Sequence, residues 1–150
     1  MSDAEKTATA ATVPGQVRPD DRAHADHVQL SLPAESAYLS VLRTATAGLA
    51  ARLDFTLDEI EDLRIAVDEA CAMLLAQAIP GTSLECGFDL GTDRVTITVS
   101  VVAAEPRIPA QDTFAWTVLS ALAGTVDSRL DSGDRVAIVM VKSRSLPRSG

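Results

Sequence analysis

The 150-residue chain is 47% hydrophobic and 23% charged, which excludes a wholly disordered polymer and leaves room for one domain with a true core. Its net charge of −8 argues against a nucleic-acid surface, because phosphates are neutralised by clustered Lys and Arg. Aromatic residues make up only 3%, so the core must be built from Leu, Val, Ile and Ala.

Residues 1–26 are rich in Ala, Thr, Asp and Pro and follow neither a helical nor a strand period. They are expected to form a disordered tail, and they lack the apolar centre of a signal peptide. No apolar run is long enough to span a membrane, so a cytoplasmic protein without membrane contact is expected. The two histidines, His24 and His27, fall at the end of this tail, where exposure to solvent is the ordinary outcome. With no histidine inside the predicted folded elements, which begin at Val28, Ser-His-Asp and Cys-His catalysis are both excluded. Cys71 and Cys86 sit in apolar patterns without metal-ligand or redox spacing, which predicts buried free thiols in a reducing compartment.

The domain is predicted over 27–142. Val28, Leu30 and Leu32 alternate with Gln29 and Ser31, a short strand ended by Pro33. Glu35 to Leu53 reads as a helix with an irregular apolar stripe, punctuated by Arg43 and Arg52. A second helix opens on Thr56, with Glu59 three residues on to complete a capping box and Phe55 and Ile60 placed for a hydrophobic staple. Ile60, Leu63, Val67, Cys71 and Leu74 share one face of it. Asp62, Ile65, Glu69, Ala72, Met73 and Ala76 lie roughly opposite, a half-apolar face of the kind that covers a pocket or a partner. Pro80 and Gly81 stop this helix.

Leu84, Cys86, Phe88 and Leu90 then alternate with polar residues, and Gly91-Thr92-Asp93 turns the chain into Val95, Ile97, Val99 and Val101. Ala103 to Gln111 carries Pro106 and Pro109 and reads as a loop. Asp112 or Thr113 can cap a third helix, Phe114 to Ala123, stopped by Gly124. A second hairpin, Val126–Leu130 and Val136–Val141, closes the pattern, and 143–150 form a polar tail. Strands joined by tight turns are antiparallel, and three helices can cover one face of such a sheet. The predicted fold is therefore α+β, a two-layer sandwich.

This order, with the segment AARLDFTLDEIEDLRIAVDEACAMLL, resembles the anti-sigma-factor serine kinases of the GHKL ATPase superfamily, the RsbW and SpoIIAB type, and their actinobacterial members in particular. The resemblance covers Val28 to Val141 and is most specific in LRIAVDEACAML, with FAWTVLSALAGTVDS in support. It implies a GHKL (Bergerat-like) sandwich. In that family the second helix places a Glu, the presumed general base toward a serine of the anti-anti-sigma protein, and one turn later an Asn that ligates magnesium. Glu69 matches the Glu, but Met73 stands at the Asn position, and a thioether is a poor ligand for hard Mg²⁺. An Asp-x-Gly-x-Gly box and a glycine-rich lid should also follow. Ser100–Glu105 and Gln111–Trp116 stand there without a glycine, so backbone amides cannot crowd round phosphates.

The resemblance further implies dimerisation through the first strand and helix, and a sigma factor held there with the help of an arginine. That arginine falls on Arg43, while an acidic neighbour used in the family falls on Leu39. The expected function is an anti-sigma factor that sequesters an alternative sigma factor, largely without catalysis, and is released by an anti-anti-sigma protein of the STAS type. No cofactor is expected, although ATP with magnesium stays open. The alternative is an active serine kinase with Glu69 as base. A third possibility is a regulatory domain that keeps the fold and binds something else. Met73 and Trp116 are assigned to packing ahead of partner contact.

Overall fold

The computed structural model describes residues 26–145. Its elements run β1 (Asp26–Pro33), a 3₁₀ turn (Ser36–Tyr38), α1 (Leu39–Arg52), α2 (Leu57–Leu75), β2 (Ser83–Leu90), β3 (Arg94–Val102), α3 (Phe114–Ala123), β4 (Thr125–Asp131) and β5 (Arg135–Ser143). The strands form one antiparallel sheet in the order β1-β2-β3-β5-β4, with the three helices layered on one face. The α+β, GHKL-like sandwich expected from the sequence is the fold observed.

Strand alternation builds the core directly. Val28, Phe88, Ile97, Met140 and Val126 stand side by side across all five strands and face the helices. The neighbouring row runs Leu30, Cys86, Val99 and Ile138, of which the last three are fully buried. On the second helix Leu63, Ala66, Val67, Ala70, Cys71 and Leu74 are buried, while Ile60, placed on the core face by its spacing, is only partly covered. The buried alanines widen the apolar face, because α2 packs against α1 on one side and α3 on the other as well as against the sheet.

Both ends of the α1–α2 connection are locally encoded. Phe55 N–H donates to Ala50 O at 3.2 Å and Asp54 N–H to Ala51 O at 3.1 Å, with Asp54 at φ +62°, the pairing of a Schellman stop. Thr56 then caps α2. Its Oγ1 accepts from Glu59 N–H at 3.1 Å, and Glu59 Oε1 accepts from Thr56 N–H at 2.8 Å. The second oxygen of Glu59 receives the N–H of Ser145 at 2.7 Å and its hydroxyl at 2.5 Å, so the end of the described chain is fastened to the start of α2. Partial burial pushes the Glu59 carboxyl up, but the hydrogen bonds from Ser145 and Thr56 outweigh it and hold the group at about 2 against an ordinary 4.5. Because the folded value is depressed, the stability it contributes is present above pH 4.5 and is lost as pH falls toward about 2. Thr56→Ala should cost about 1 kcal/mol in urea denaturation at neutral pH. Glu59→Gln should flatten the loss of stability between those two pH values; an acid profile identical to that of the unaltered protein would count against the clasp.

Three local differences separate sequence from structure. The helix predicted from Glu35 begins with a 3₁₀ turn and becomes α-helical only at Leu39. Strand β1 starts at Asp26, one residue inside the predicted tail, and Ser143 to Ser145 belong to β5 and the Glu59 clasp, not to a detached tail. Among the described residues no helix is long and apolar enough to cross a membrane.

Candidate functional site

Helix α1 holds 14 residues with no carboxylate among them, and Arg43 and Arg52 as its basic residues. Its inner side buries Leu42, Thr46 and Ala50, and the Thr46 hydroxyl is satisfied by Leu42 O at 2.8 Å. Arg43 reaches across to α2, where its Nη1 donates to both oxygens of Asp68, at 3.0 and 3.2 Å. Each of these side chains is about a third exposed, 35% and 36%. A pair this open adds under about 1 kcal/mol and ties Arg43 to the helix layer without hiding it. Leu39, one turn before, packs against the core. Tyr38, at the end of the 3₁₀ turn, and Val41, on the outward side of α1, are 41% and 47% exposed, and Val41 lines a shallow uncharged depression with Ser40, Thr44 and Ala45. The arginine predicted to meet a partner thus borders an uncharged, partly apolar surface.

The second candidate position lies on α2. Glu69 and Met73 follow one another one turn apart on α2, and Gln77, four residues further on, lies just past the helix end in the turn after Leu75. Glu69 is partly exposed, and Met73 packs against the core. Gln77 was not singled out from the sequence, although continuing the Glu69–Met73 spacing by one turn reaches it. Its Nε2 donates to Arg107 O at 2.8 Å and its Oε1 accepts from Arg107 N–H at 3.0 Å. This two-point clamp fixes the β3–α3 loop to the end of α2. Ile79 N–H donates to Val102 O at 2.9 Å, which anchors the root of the same loop. Beyond the clamp Ile108 and Phe114 stand 48% and 83% exposed. Of the two predicted caps for α3 the structure selects Thr113, whose Oγ1 accepts from Trp116 N–H at 3.1 Å. Trp116 itself is buried, in keeping with the packing role expected of it.

The thiols are inert by position. Burial, with Asp68 adding to it, pushes Cys71 up to about 12, and burial together with Cys71 pushes Cys86 further in the same direction. His27 lies on the exposed face of β1, and His24 is outside the described residues. Among the described residues no group of three or more His, Cys, Asp or Glu side chains could hold a metal ion.

Fold and helix layer define a GHKL-like domain in which Glu69 of α2 stands one turn ahead of a thioether and two turns ahead of a loop clamp. No family model matches the chain. It is 34% identical over 101 residues to the anti-sigma-F factor RsbW of Mycobacterium tuberculosis H37Rv, covering 67% of this chain and 60% of that protein. It is 42% identical over 55 residues to the serine-protein kinase RsbW of Bacillus subtilis 168, covering 37% of this chain and 34% of that one. Among solved structures it is similar to the RsbU and RsbW domains of Rv1364c from Mycobacterium tuberculosis, with a TM-score of 0.64 and 13% identity over 81% of this chain and 33% of that one. The chain belongs to the RsbW-like family. It spans less than two thirds of the length of these relatives, 60% of the mycobacterial protein and 34% of the Bacillus one.

Proposed function

We propose that this chain is an anti-sigma factor that works by occupancy: it holds an alternative sigma factor away from RNA polymerase and gives it up when an anti-anti-sigma protein of the STAS type competes for the same domain. Its sequence similarity to the mycobacterial anti-sigma-F factor supports the partner class. The observation that carries the non-catalytic part is the stretch from Glu69 through Met73 to Gln77 at the end of α2. Magnesium requires oxygen ligands, and Met73 offers only a thioether, on a side chain packed against the core. A phosphate cradle requires free backbone amides, and the Arg107 amide is already committed to Gln77. These residues do not fit Mg-ATP, and no phosphoryl step is assigned to them. The net charge of −8 favours encounter with a basic partner. The outward side of α1, with Arg43 and Leu39 at its margin, is the surface proposed for sigma binding and for pairing with a second copy.

The retained Glu69 favours a second reading, an active serine kinase, and nucleotide binding separates the two. A ligand present at a hundred times its Kd stabilises a folded protein by about 2.7 kcal/mol. Millimolar Mg-ATP should leave the melting temperature unchanged, whereas a clear upward shift would restore the kinase. Occupancy itself is tested by calorimetric titration of the purified chain with each alternative sigma factor of its host, followed by addition of candidate STAS proteins. Binding of one sigma factor and its displacement are expected. Failure of every sigma factor to bind would remove the proposal.

A further inference from the structure

The face of the sheet opposite the helices carries a continuous polar network along β1 and β2. His27 and Asp89 are directly opposed in the register, as are Gln29 and Gly87, and Ser31 and Glu85. His27 Nδ1 lies 2.7 Å from Asp89 Oδ1, and His27 Nε2 lies 3.0 Å from Gln29 Oε1. Gln29 Nε2 donates to Glu85 Oε1 at 3.3 Å, and Ser31 Oγ donates to Glu85 Oε2 at 2.6 Å. Gly87 makes the arrangement possible, because a Cβ there would stand 3.0 Å from Gln29 Oε1 and 3.1 Å from His27 Cε1.

The protonation state follows from counting donors. Glu85 accepts only, so it fixes Gln29 with its amide nitrogen toward Glu85 and its oxygen toward His27. Asp89 also accepts only. Both ring nitrogens of His27 therefore face acceptors, and a neutral imidazole has one N–H to give. Only the imidazolium satisfies both.

We propose that this network is a proton-operated clip on the edge strand: charged His27 fastens β1 to the sheet, and neutral His27 loosens it. Among the described residues of a single copy, β1 is paired to β2 alone, so these contacts act where the sheet has least support. Of the groups that face the imidazole, β2 supplies the carboxylates of Asp89 and Glu85, β3 supplies the uncharged Thr98 and Ser100, and β4 supplies Arg129. Arg129 is engaged by Asp131, its Nε lying 2.8 Å from Oδ1, and Arg135 of β5 donates to Ser100 at 3.0 Å. The hydrogen bond to Asp89, then that to Gln29, raises His27 above its ordinary 6.5, against a small opposing effect of burial. With the folded value raised, the clip's contribution is complete below pH 6.5 and is lost as pH rises through the higher folded value. Val28, Leu30 and Leu32 stay packed against the core in either state, so the loosened strand opens more often without leaving the sheet.

The test is amide hydrogen exchange of the full-length protein at pH 6 and pH 8, corrected for the intrinsic rise in exchange with base, alongside NMR titration of the histidines. His27 should titrate above the ordinary imidazole range and fall back in Asp89→Asn. Protection of the β1 amides relative to those of β3 should drop several-fold between the two pH values in the unaltered protein and in His24→Gln. It should stay constant in Asp89→Asn and in His27→Gln. Constant β1 protection in the unaltered protein, or an equal drop in Asp89→Asn, would overturn the clip.

Discussion

Gly124→Ala is expected to remove about 3 kcal/mol of stability, the largest single-site loss proposed for this chain outside the apolar core. Gly124 ends α3 at φ +85° and ψ −103°, a conformation that an L side chain resists at a cost of about 1–3 kcal/mol. Space is the second obstacle. A Cβ on Gly124 would stand 2.6 Å from Val141 O, a backbone atom of β5 that is itself bound into the sheet. The turn cannot readily lift away, because Lys142 Nζ donates to Leu122 O at 2.8 Å and holds the last turn of α3 onto β5. Gly81 separates the two causes, since it has φ +84° with nothing within 4 Å of the added carbon. Gly81→Ala should therefore show the conformational cost alone, about 1 kcal/mol. Urea denaturation of the two variants side by side measures the difference, and the Gly124 variant should also melt lower by roughly 10 °C. Equal losses at the two glycines would mean that close approach to β5 contributes nothing.

The same turn illustrates what could be seen in the sequence. Gly124 after an apolar helix is a stop signal, and it predicts the boundary correctly, but the reason for a glycine there lies in β5, seventeen positions away. Where an instruction is local the sequence expresses it fully: the Thr56–Glu59 capping box, the Gly91-Thr92-Asp93 turn and the alternation of Leu84 to Leu90 all formed as expected. Where it depends on neighbours it was only partly legible. The buried face of α2 is wider than its large apolar residues indicated, because Ala66 and Ala70 are covered by flanking helices whose positions no periodicity reveals. The same limit applies to the candidate site. Glu69 and Met73 were singled out through the family resemblance of their segment, whereas the clamp between Gln77 and Arg107 joins residues 30 apart by side-chain to backbone contact. His27 was assigned to a solvated tail because β1 was expected to begin at Val28, two residues after its observed start, and its partner Asp89 is 62 positions away.

Arg43 is where that limit changes an experiment. From sequence alone, Arg43→Glu is expected to weaken sigma binding and leave the melting temperature alone. The contact with Asp68 removes the second half of that expectation, because a glutamate would face a carboxylate where 3.0 and 3.2 Å bonds now stand. Arg43→Ala and Asp68→Asn together give a cleaner separation. If Arg43 acts only as a strut between α1 and α2, the two variants lose the same small amount of stability, under about 1 kcal/mol, and bind a sigma factor equally well. If Arg43 is a central contact, Arg43→Ala should weaken sigma binding by about 30-fold, the mark of a buried arginine anchor worth 2 kcal/mol. Asp68→Asn would then leave the affinity intact or improve it, since it frees the guanidinium from its present partner. Arginine is suited to such a place, for its planar fork can exchange one carboxylate for another with little loss of order. A partner that covered the open, uncharged depression lined by Ser40, Val41, Thr44 and Ala45 would exclude water there and strengthen that exchange. Titration calorimetry on both variants therefore distinguishes a strut from an anchor, and equal affinities would move the sigma-binding surface away from Arg43 altogether.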